Sequence, residues 1–459
     1  MYQIDFDHKV HVFFCGIGGI SMSGLAQVLV DADFKVSGSD MKSSDLTDVL
    51  SNSGAKIYIG QKADNVTADI DVFVYTAAIH EDHPEYMKAV ELNIPMLTRA
   101  ELLGQIMKNY KLPIAVSGTH GKTTVTSMLS EIFMEAKLDP TISVGGILKS
   151  IGGNFRIGHS DIFVTEACEY TNSFLSFYPK ASIILNVEED HLDFFKDIDD
   201  IRNSFHRFAA LNPAGGVVVI GGDIPKVDTI IEGIDADVIT FGKDESSDYY
   251  ATDAHYDEKG IHYFNVHSPN REAEEFSLKV PGEHNVQDAL AAIAMCDYMA
   301  IDRKIVKEAL AKFGGAKRRF EYKGELNGFT IMDDYAHHPS EIEATLTAAK
   351  NVPHKKLWCV FQSHTYTRTK AFMDEFAKAL TNADAVVLAD IYPARETDNL
   401  GISAVNLMEK IKELDTECYY FPTFKEIEEF ILKSCTPGDM LITMGAGDVV
   451  NIGDELLKE

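Results

Sequence analysis

The stretch Val116-Ser-Gly-Thr-His-Gly-Lys-Thr-Thr-Val125 decides how this chain is read. It follows Leu112-Pro-Ile-Ala, a short apolar run ending in β-branched Val116. It precedes Thr126-Ser-Met-Leu-Ser-Glu-Ile-Phe-Met, whose apolar spacing is that of an amphipathic helix. Strand, glycine turn, Lys-Thr and helix is an arrangement that holds a nucleoside triphosphate. The turn amides and the helix N-terminus face the phosphates, the lysine offsets their charge, and a hydroxyl reaches Mg²⁺. The full pattern would begin with glycine at position 116, where there is valine. What remains is Gly118-Thr119-His120-Gly121-Lys122-Thr123-Thr124, and an ordinary glycine turn before a surface helix is the alternative.

The strands around this loop carry acids at their carboxyl ends, the edge where open α/β sheets bind ligands. Asp161-Ile-Phe-Val-Thr-Glu166 ends in a carboxylate suited to Mg²⁺, since hard cations take carboxylate oxygens, and Glu169 lies three residues on. Ala181-Ser-Ile-Ile-Leu-Asn-Val187 runs into Glu188-Glu-Asp-His191-Leu-Asp193, where the histidine can ligate a second metal or position phosphate. Gly216-Val-Val-Val-Ile220 is a further strand, residues 238–280 read as a small antiparallel patch, and Val286–Met295 reads as a helix after Gly282-Glu-His-Asn285.

Before this part, Val10–Cys15 leads into Gly16-Ile-Gly-Gly-Ile-Ser-Met-Ser-Gly24, with Asp40 closing the next strand. The glycines would let a pyrophosphate approach the backbone, and Asp40 could accept from a ribose or base. The sixth position is Ser21, not glycine. Taken alone, the pattern fits a nicotinamide dinucleotide, another nucleotide diphosphate or a structural turn. After the loop part, Lys317-Arg318-Arg319 is the densest cationic run and reads as a clamp on phosphates or a basic linker. Asp333-Asp-Tyr-Ala-His-His-Pro339 ends the strand Phe329–Met332 and suggests ribose contact with substrate handling, or a polar turn; His364 and Arg368 could anchor a carboxylate.

At 459 residues the chain is too long for one core, and roughly 150 residues per domain predicts about three domains. A formal charge of −29 speaks against nucleic-acid or anionic-membrane partners, which need a basic surface. Six scattered cysteines without a CxxC pattern read as reduced thiols, and no apolar run approaches the ~18 residues of a membrane span. The N-terminus has no signal-peptide pattern. The expectation is a soluble cytoplasmic protein, monomeric or weakly dimeric.

Together these residues resemble the Mur ligases, the ATP-dependent amide-forming enzymes of peptidoglycan synthesis, over nearly the whole chain. The phosphate loop is similar at Gly118–Thr124, the metal acid at Glu166 and the metal histidine at His191. The family's adenine-side asparagine corresponds to Asn285, its phosphate arginine to Arg319 and its ribose aspartate to Asp334. The Gly16–Gly24 turn with Ser37–Asp40, the pair Glu166-Ala-Cys-Glu169 and the 333–339 motif resemble the alanine-adding branch most. In that branch Gly16, Gly18, Gly19 and Asp40 would hold the UDP diphosphate side of UDP-N-acetylmuramate, and His338 and Arg368 would handle L-alanine. The resemblance implies ATP and Mg²⁺, with Thr123, Glu166 and His191 as metal ligands and Thr124 beside them. Lys122, Glu166, His191 and Arg319 would carry the catalysis, and the three domains would close on ATP.

Other branches carry a carbamylated lysine where this chain has Phe205 and His206, and the alanine-adding branch also lacks it. Asp288 and Thr365 depart from an asparagine and an arginine common among relatives. The expected architecture is α/β in three domains: a Rossmann-like UDP-sugar domain at 1–108, a phosphate-loop ATPase domain with a parallel sheet and antiparallel patch at 109–318, and a Rossmann-like ligase domain at 319–459. A recycling ligase that adds a whole peptide to the same sugar nucleotide is the nearest rival. An NAD-dependent oxidoreductase and a phosphate-loop switch are more distant ones.

Overall fold

The first apolar run, His11–Cys15, is wholly buried at the middle of a five-stranded parallel sheet. The computed structural model describes residues 2–458 other than Ala77, Asp193, Lys259 and Arg395. The strand order is Lys56–Ile59, Lys35–Asp40, His11–Cys15, Val72–Tyr75, Met96–Thr98. Crossovers from the central strand therefore leave to both sides, which makes its carboxyl end the topological switch point where such sheets take ligands. Phe13 and Phe73 stack across it at 5.6 Å.

By contact density the chain forms two units, Met1–Val187 with Asp199–Ile239 and Glu188–Ile198 with Thr240–Glu459. The first unit holds the sheet just described and a second one ordered Val217–Gly221, Ala181–Ile184, Leu112–Ser117, Ile162–Glu166, Thr141–Leu148, Gly153–Arg156. Its strands are parallel except for the last pair, an antiparallel hairpin that the sequence reading did not anticipate. The strand Leu112–Ser117 lies inside this sheet and feeds the helix Lys122–Glu135, as the opening motif requires. Within this unit the helix Ile20–Asp31 meets the hairpin so closely that a Cβ on Gly24 would lie 2.4 Å from the Phe155 ring.

In the second unit Tyr249–Tyr256, His262–His267 and Glu274–Leu278 form the expected antiparallel patch. The helix Glu283–Tyr298 packs on it. A six-stranded sheet follows in the order Glu321–Leu326, Phe329–Asp334, Met440–Met444, Leu357–Phe361, Ala385–Leu388, Glu417–Tyr420, parallel but for its first pair. Leu357–Phe361 is fully buried, and separate apolar clusters cover the sheet's two faces. The α/β reading with an N-terminal and a C-terminal Rossmann-like sheet is what the chain adopts. No described helix is long and apolar enough to cross a membrane.

Candidate active site

In the first unit the phosphate loop is shaped by backbone that only glycine tolerates well. Gly118 has φ +143°, and a Cβ there would stand 2.9 Å from that of Leu185. Gly121, at φ +82°, precedes a helix with no side-chain cap and no acid in its first turn, so its N-terminal amides and dipole are left to an anion. The loop is fastened to the end of the neighbouring strand by Asn186. Its Oδ1 accepts from His120 N (2.8 Å), its Nδ2 donates to His120 O (3.2 Å), and its own carbonyl accepts from Thr119 N (3.2 Å).

Lys122 is held at the loop's centre. Its ammonium donates to the carbonyls of Gly118 and Thr119 and pairs with Glu169 Oε2 at 3.0 Å, in surroundings where Glu169 is almost wholly buried. Burial works against the lysine's charge, but Glu169, Cys168 and Glu166 outweigh it and hold the pKa above its ordinary value. The cation is therefore fixed in place and charged at neutral pH. Glu166 ends its strand as expected, and one of its oxygens accepts from Gly145 N. A side chain at 145 would press on that carboxylate, with Cβ 2.6 Å from Oε2. Thr123 stands in the helix's first turn, 8% exposed.

The N-terminal glycine turn lies in the same unit. Gly16 N and Ile17 N both donate to Ser39 O at 2.9 Å, and Gly18 N donates to Asp40 Oδ2 at 2.9 Å. Asp40 thus clamps the turn, and a Cβ on Gly18 would stand 2.9 Å from that same oxygen. After Gly19 the helix Ile20–Asp31 again has neither a side-chain cap nor a first-turn acid. Beneath the turn lies Glu85, fully buried, which the sequence reading missed. Its carboxylate accepts from Ser39 Oγ (2.6 Å), Asn65 Nδ2 (2.7 Å), Cys15 Sγ (3.1 Å) and Lys62 N (3.2 Å).

The second unit gathers His191, Asn285, Arg319, Asp334, His338 and Arg368. His191 adopts φ +53°, with its amide on Asp190 Oδ1 (2.7 Å) and its ring 3.7 Å from Asp190 Oδ2. Arg368 Nη2 donates to Asp190 Oδ1 at 2.8 Å. Burial would raise the Asp190 pKa, but Arg368 and His191 override it and hold the carboxyl well below the usual carboxylate range. His338 spans from Glu189 O (3.1 Å) to Ser340 Oγ (2.8 Å), and Ser340 in turn donates to Glu188 Oε2. Asp193, the last residue of the histidine motif, lies outside the described residues.

Asp334 accepts from Phe320 N and Ala336 N, both at 2.7 Å, and burial pushes its pKa up to about 6. Arg319 lies 3.8 Å from Glu341 and 5.5 Å from the Tyr335 ring. Its neighbour corrects the reading of the cationic run. Arg318 is committed to buried Asp333 (2.9 Å) and to the carbonyls of Gly445 and Gly447, so it closes the sheet edge instead of facing a ligand. Asn285 sits in the first turn of its helix, with Nδ2 on Pro281 O at 2.6 Å.

Three sequence models now divide the chain between them. The Mur ligase family catalytic domain matches residues 11–111, the Mur ligase middle domain 116–296, and the Mur ligase glutamate ligase domain 318–447. The chain belongs to the Mur ligase family. It is 55% identical over 459 residues, all of both chains, to the UDP-N-acetylmuramate–L-alanine ligase of Agathobacter rectalis. The crystal structure of the Thermotoga maritima UDP-N-acetylmuramate–alanine ligase matches with a TM-score of 0.81 at 30% identity, covering 98% of this chain and 99% of that one. A murein peptide ligase from Psychrobacter arcticus shares the fold, with a TM-score of 0.71 at 24% identity over 98% of each chain.

Phe205 and His206, the positions that the family resemblance set against a modified lysine, serve packing and a backbone contact. Phe205 is fully buried, edge-on to Phe174 at 5.4 Å, and His206 Nδ1 meets Ile230 O at 3.0 Å. Asp288 is buried one turn beyond Asn285. Thr365 caps the short helix that presents Arg368, with its side chain accepting from Arg368 N.

Proposed function

We propose that this Mur ligase joins L-alanine to the lactyl carboxylate of UDP-N-acetylmuramate, releasing ADP and phosphate, in peptidoglycan precursor synthesis. The identity of 55% over the entire length with an enzyme of that name carries the substrate assignment. The chemistry follows from the substrates. A carboxylate is a poor electrophile, and amide formation in water is uphill. The lactyl carboxylate attacks the γ-phosphate of ATP to form an acyl phosphate. The amine of L-alanine then attacks the acyl carbon, and phosphate leaves from the tetrahedral intermediate.

Two anions must meet in the first step, so fixed cations lower its barrier more than any nucleophile on the protein would. Lys122, already charged and held by Glu169, is placed to offset charge on the transferring phosphoryl group. The amides of Gly118–Thr124 cradle the phosphates, and Arg319 adds a second cation. Asn285 and Asp334 are assigned to the adenosine, and Gly16, Gly18, Gly19 and Asp40 to the diphosphate of the sugar nucleotide. His338 and Arg368 are assigned to the amino acid, for which Arg368 would exchange Asp190 for the alanine carboxylate.

The donors of Thr123 and Glu166 are the hard oxygens that suit Mg²⁺, with His191 offered for a second ion. Bound there, Mg²⁺ would neutralise charge on the phosphoryl oxygens. We assign the sugar nucleotide to residues 1–108, ATP to 109–318 and the amino acid to 319–459, and we place the reaction in the cytoplasm with a monomeric or weakly dimeric enzyme. The test is phosphate release from ATP with UDP-N-acetylmuramate and, in turn, L-alanine, L-serine, glycine and a tripeptide. L-Alanine should be preferred, and preference for the tripeptide would assign the chain to recycling instead. Lys122→Ala should abolish turnover while leaving sugar-nucleotide binding nearly intact.

A further inference from the structure

Arg99 is a cation that the first unit half-buries without a carboxylate. It opens the helix Arg99–Met107, whose start is set by a capping box in which Glu101 is committed to Thr98. That helix is pressed onto Tyr170–Ser176, since a Cβ on Gly104 would stand 1.9 Å from Ser176 O. Arg99 thus opens a helix that is packed tightly on that segment. Its Nη1 donates to Ser21 Oγ at 3.1 Å, on the first turn of the helix after the glycine turn. The Cys168 thiol feels the charge of both Arg99 and Lys122.

Among the described residues, Ser21 is the guanidinium's one hydrogen-bond partner, and no carboxylate lies within ion-pair distance. A guanidinium carries five N–H donors, and removing its charge from water is unfavourable unless an anion compensates. Burial accordingly pulls the Arg99 pKa below its ordinary value. Ser21 also explains the departure from the glycine fingerprint, because its hydroxyl is what Arg99 rests on.

We infer that Arg99 receives the lactyl carboxylate of the sugar nucleotide, holding it between the glycine turn and the phosphate loop. The inference rests on the substrate proposed above. The diphosphate has the uncapped helix Ile20–Asp31 to bind it. Arg99 instead stands on Ser21, on the first turn of the helix that follows the glycine turn, within electrostatic reach of Cys168, which Lys122 also reaches. A planar fork matches a carboxylate with two parallel hydrogen bonds, which fixes the direction of the attacking oxygen.

The experiment compares Arg99→Gln and Arg99→Lys with the unaltered enzyme, titrating UDP-N-acetylmuramate and UDP-N-acetylglucosamine separately by calorimetry. The second ligand keeps the nucleotide, diphosphate and acetamido sugar but lacks the lactyl carboxylate. R99Q should weaken the muramate ligand about tenfold to a hundredfold and leave the glucosamine ligand within about twofold. R99K should fall between, keeping the charge without the fork. Equal loss for both ligands would assign Arg99 to the diphosphate and overturn the inference, as would no loss for either. Should R99Q not fold, R99K decides by the same ratio. Failure of the unaltered enzyme to bind UDP-N-acetylmuramate would overturn the substrate reading itself, whereas normal binding with an indifferent R99Q overturns the Arg99 assignment alone.

Discussion

Replacing Asn186 with alanine tests whether the phosphate loop is preformed by its glycines or held open by a side chain from another strand. The substitution removes two hydrogen bonds to the His120 peptide, at 2.8 and 3.2 Å, and leaves the backbone bond from Thr119 N to residue 186. At about 0.5–1.5 kcal/mol net apiece, the loss is ~1–3 kcal/mol, and it falls on the order of the loop, not on the sheet. Since about 1.4 kcal/mol is a tenfold change in affinity, the Kd for MgATP should rise about 5- to 150-fold. Calorimetric titration measures it, with UDP-N-acetylmuramate as the internal control, because Ser39 and Asp40 hold the glycine turn independently. Asn186→Asp keeps an acceptor for His120 N but sets an oxygen against His120 O and a charge near phosphate, so it should bind ATP worse than the alanine variant. A variant with unaltered melting temperature and wild-type ATP affinity would refute the reasoning: the loop's shape would then be a property of Gly118 and Gly121 alone.

Arg318→Ala should cost about 3–5 kcal/mol of stability, because buried Asp333 would lose its cation and Gly445 and Gly447 their donor. A melting curve shows it, and a loss below about 1 kcal/mol would mean that Arg318 faces solvent after all. Burial holds His337 down to about 4, against roughly 6.5 when exposed, so the unfolded chain takes up the proton first. Its contribution is complete above pH 6.5 and is lost as pH falls from 6.5 to 4, by at most ~3 kcal/mol; His337→Gln should flatten that slope, and parallel stability curves for the two proteins would contradict it.

What could be read from sequence was what is local in sequence. The phosphate loop and its strand-end acid Glu166 announce themselves because strand, turn and helix periods change within a few residues of one another. The partners that make those motifs rigid were out of reach. Asn186 acts on His120 across 66 positions, and Arg368 acts on Asp190 across 178. Glu85 lies beneath a turn quoted in full, yet nothing in His83-Pro-Glu85 says that its carboxylate faces Ser39 and Cys15. The run Lys317-Arg318-Arg319 shows the limit most plainly. Adjacent identical side chains point apart, so one arginine closes a sheet edge on Asp333 while the other stands by Glu341 and Tyr335. The hairpin of Thr141–Leu148 and Gly153–Arg156 escaped because the first strand is interrupted by Gly145-Gly146 and the second, at the sheet edge, has only four residues, so neither shows a clear period-2 signal.

A chain with a net charge of −29 that is to bind two polyanions has to solve a local problem, not a global one. Charges farther than about 8 Å from a ligand are largely screened at physiological salt, so the exposed acids matter little to binding at the loop. Within each unit, several carboxylates hold groups assigned to binding and do not stand as bare negative charge. Glu169 pins Lys122, Asp190 pins Arg368, and Asp40 holds the amide of Gly18. Each such pair lowers the freedom of its cation or turn before the ligand arrives, which reduces the ordering cost at the moment of binding. A cation held this way is well placed but partly neutralised, and it suits a group that must be offset without being gripped, as a transferring phosphoryl group must. Among the described residues, Arg99 has a hydroxyl where Lys122 and Arg368 each have a carboxylate. By the same reasoning it keeps its full attraction for an anion, and that is what a weakly nucleophilic carboxylate needs if it is to be drawn toward ATP against their mutual repulsion.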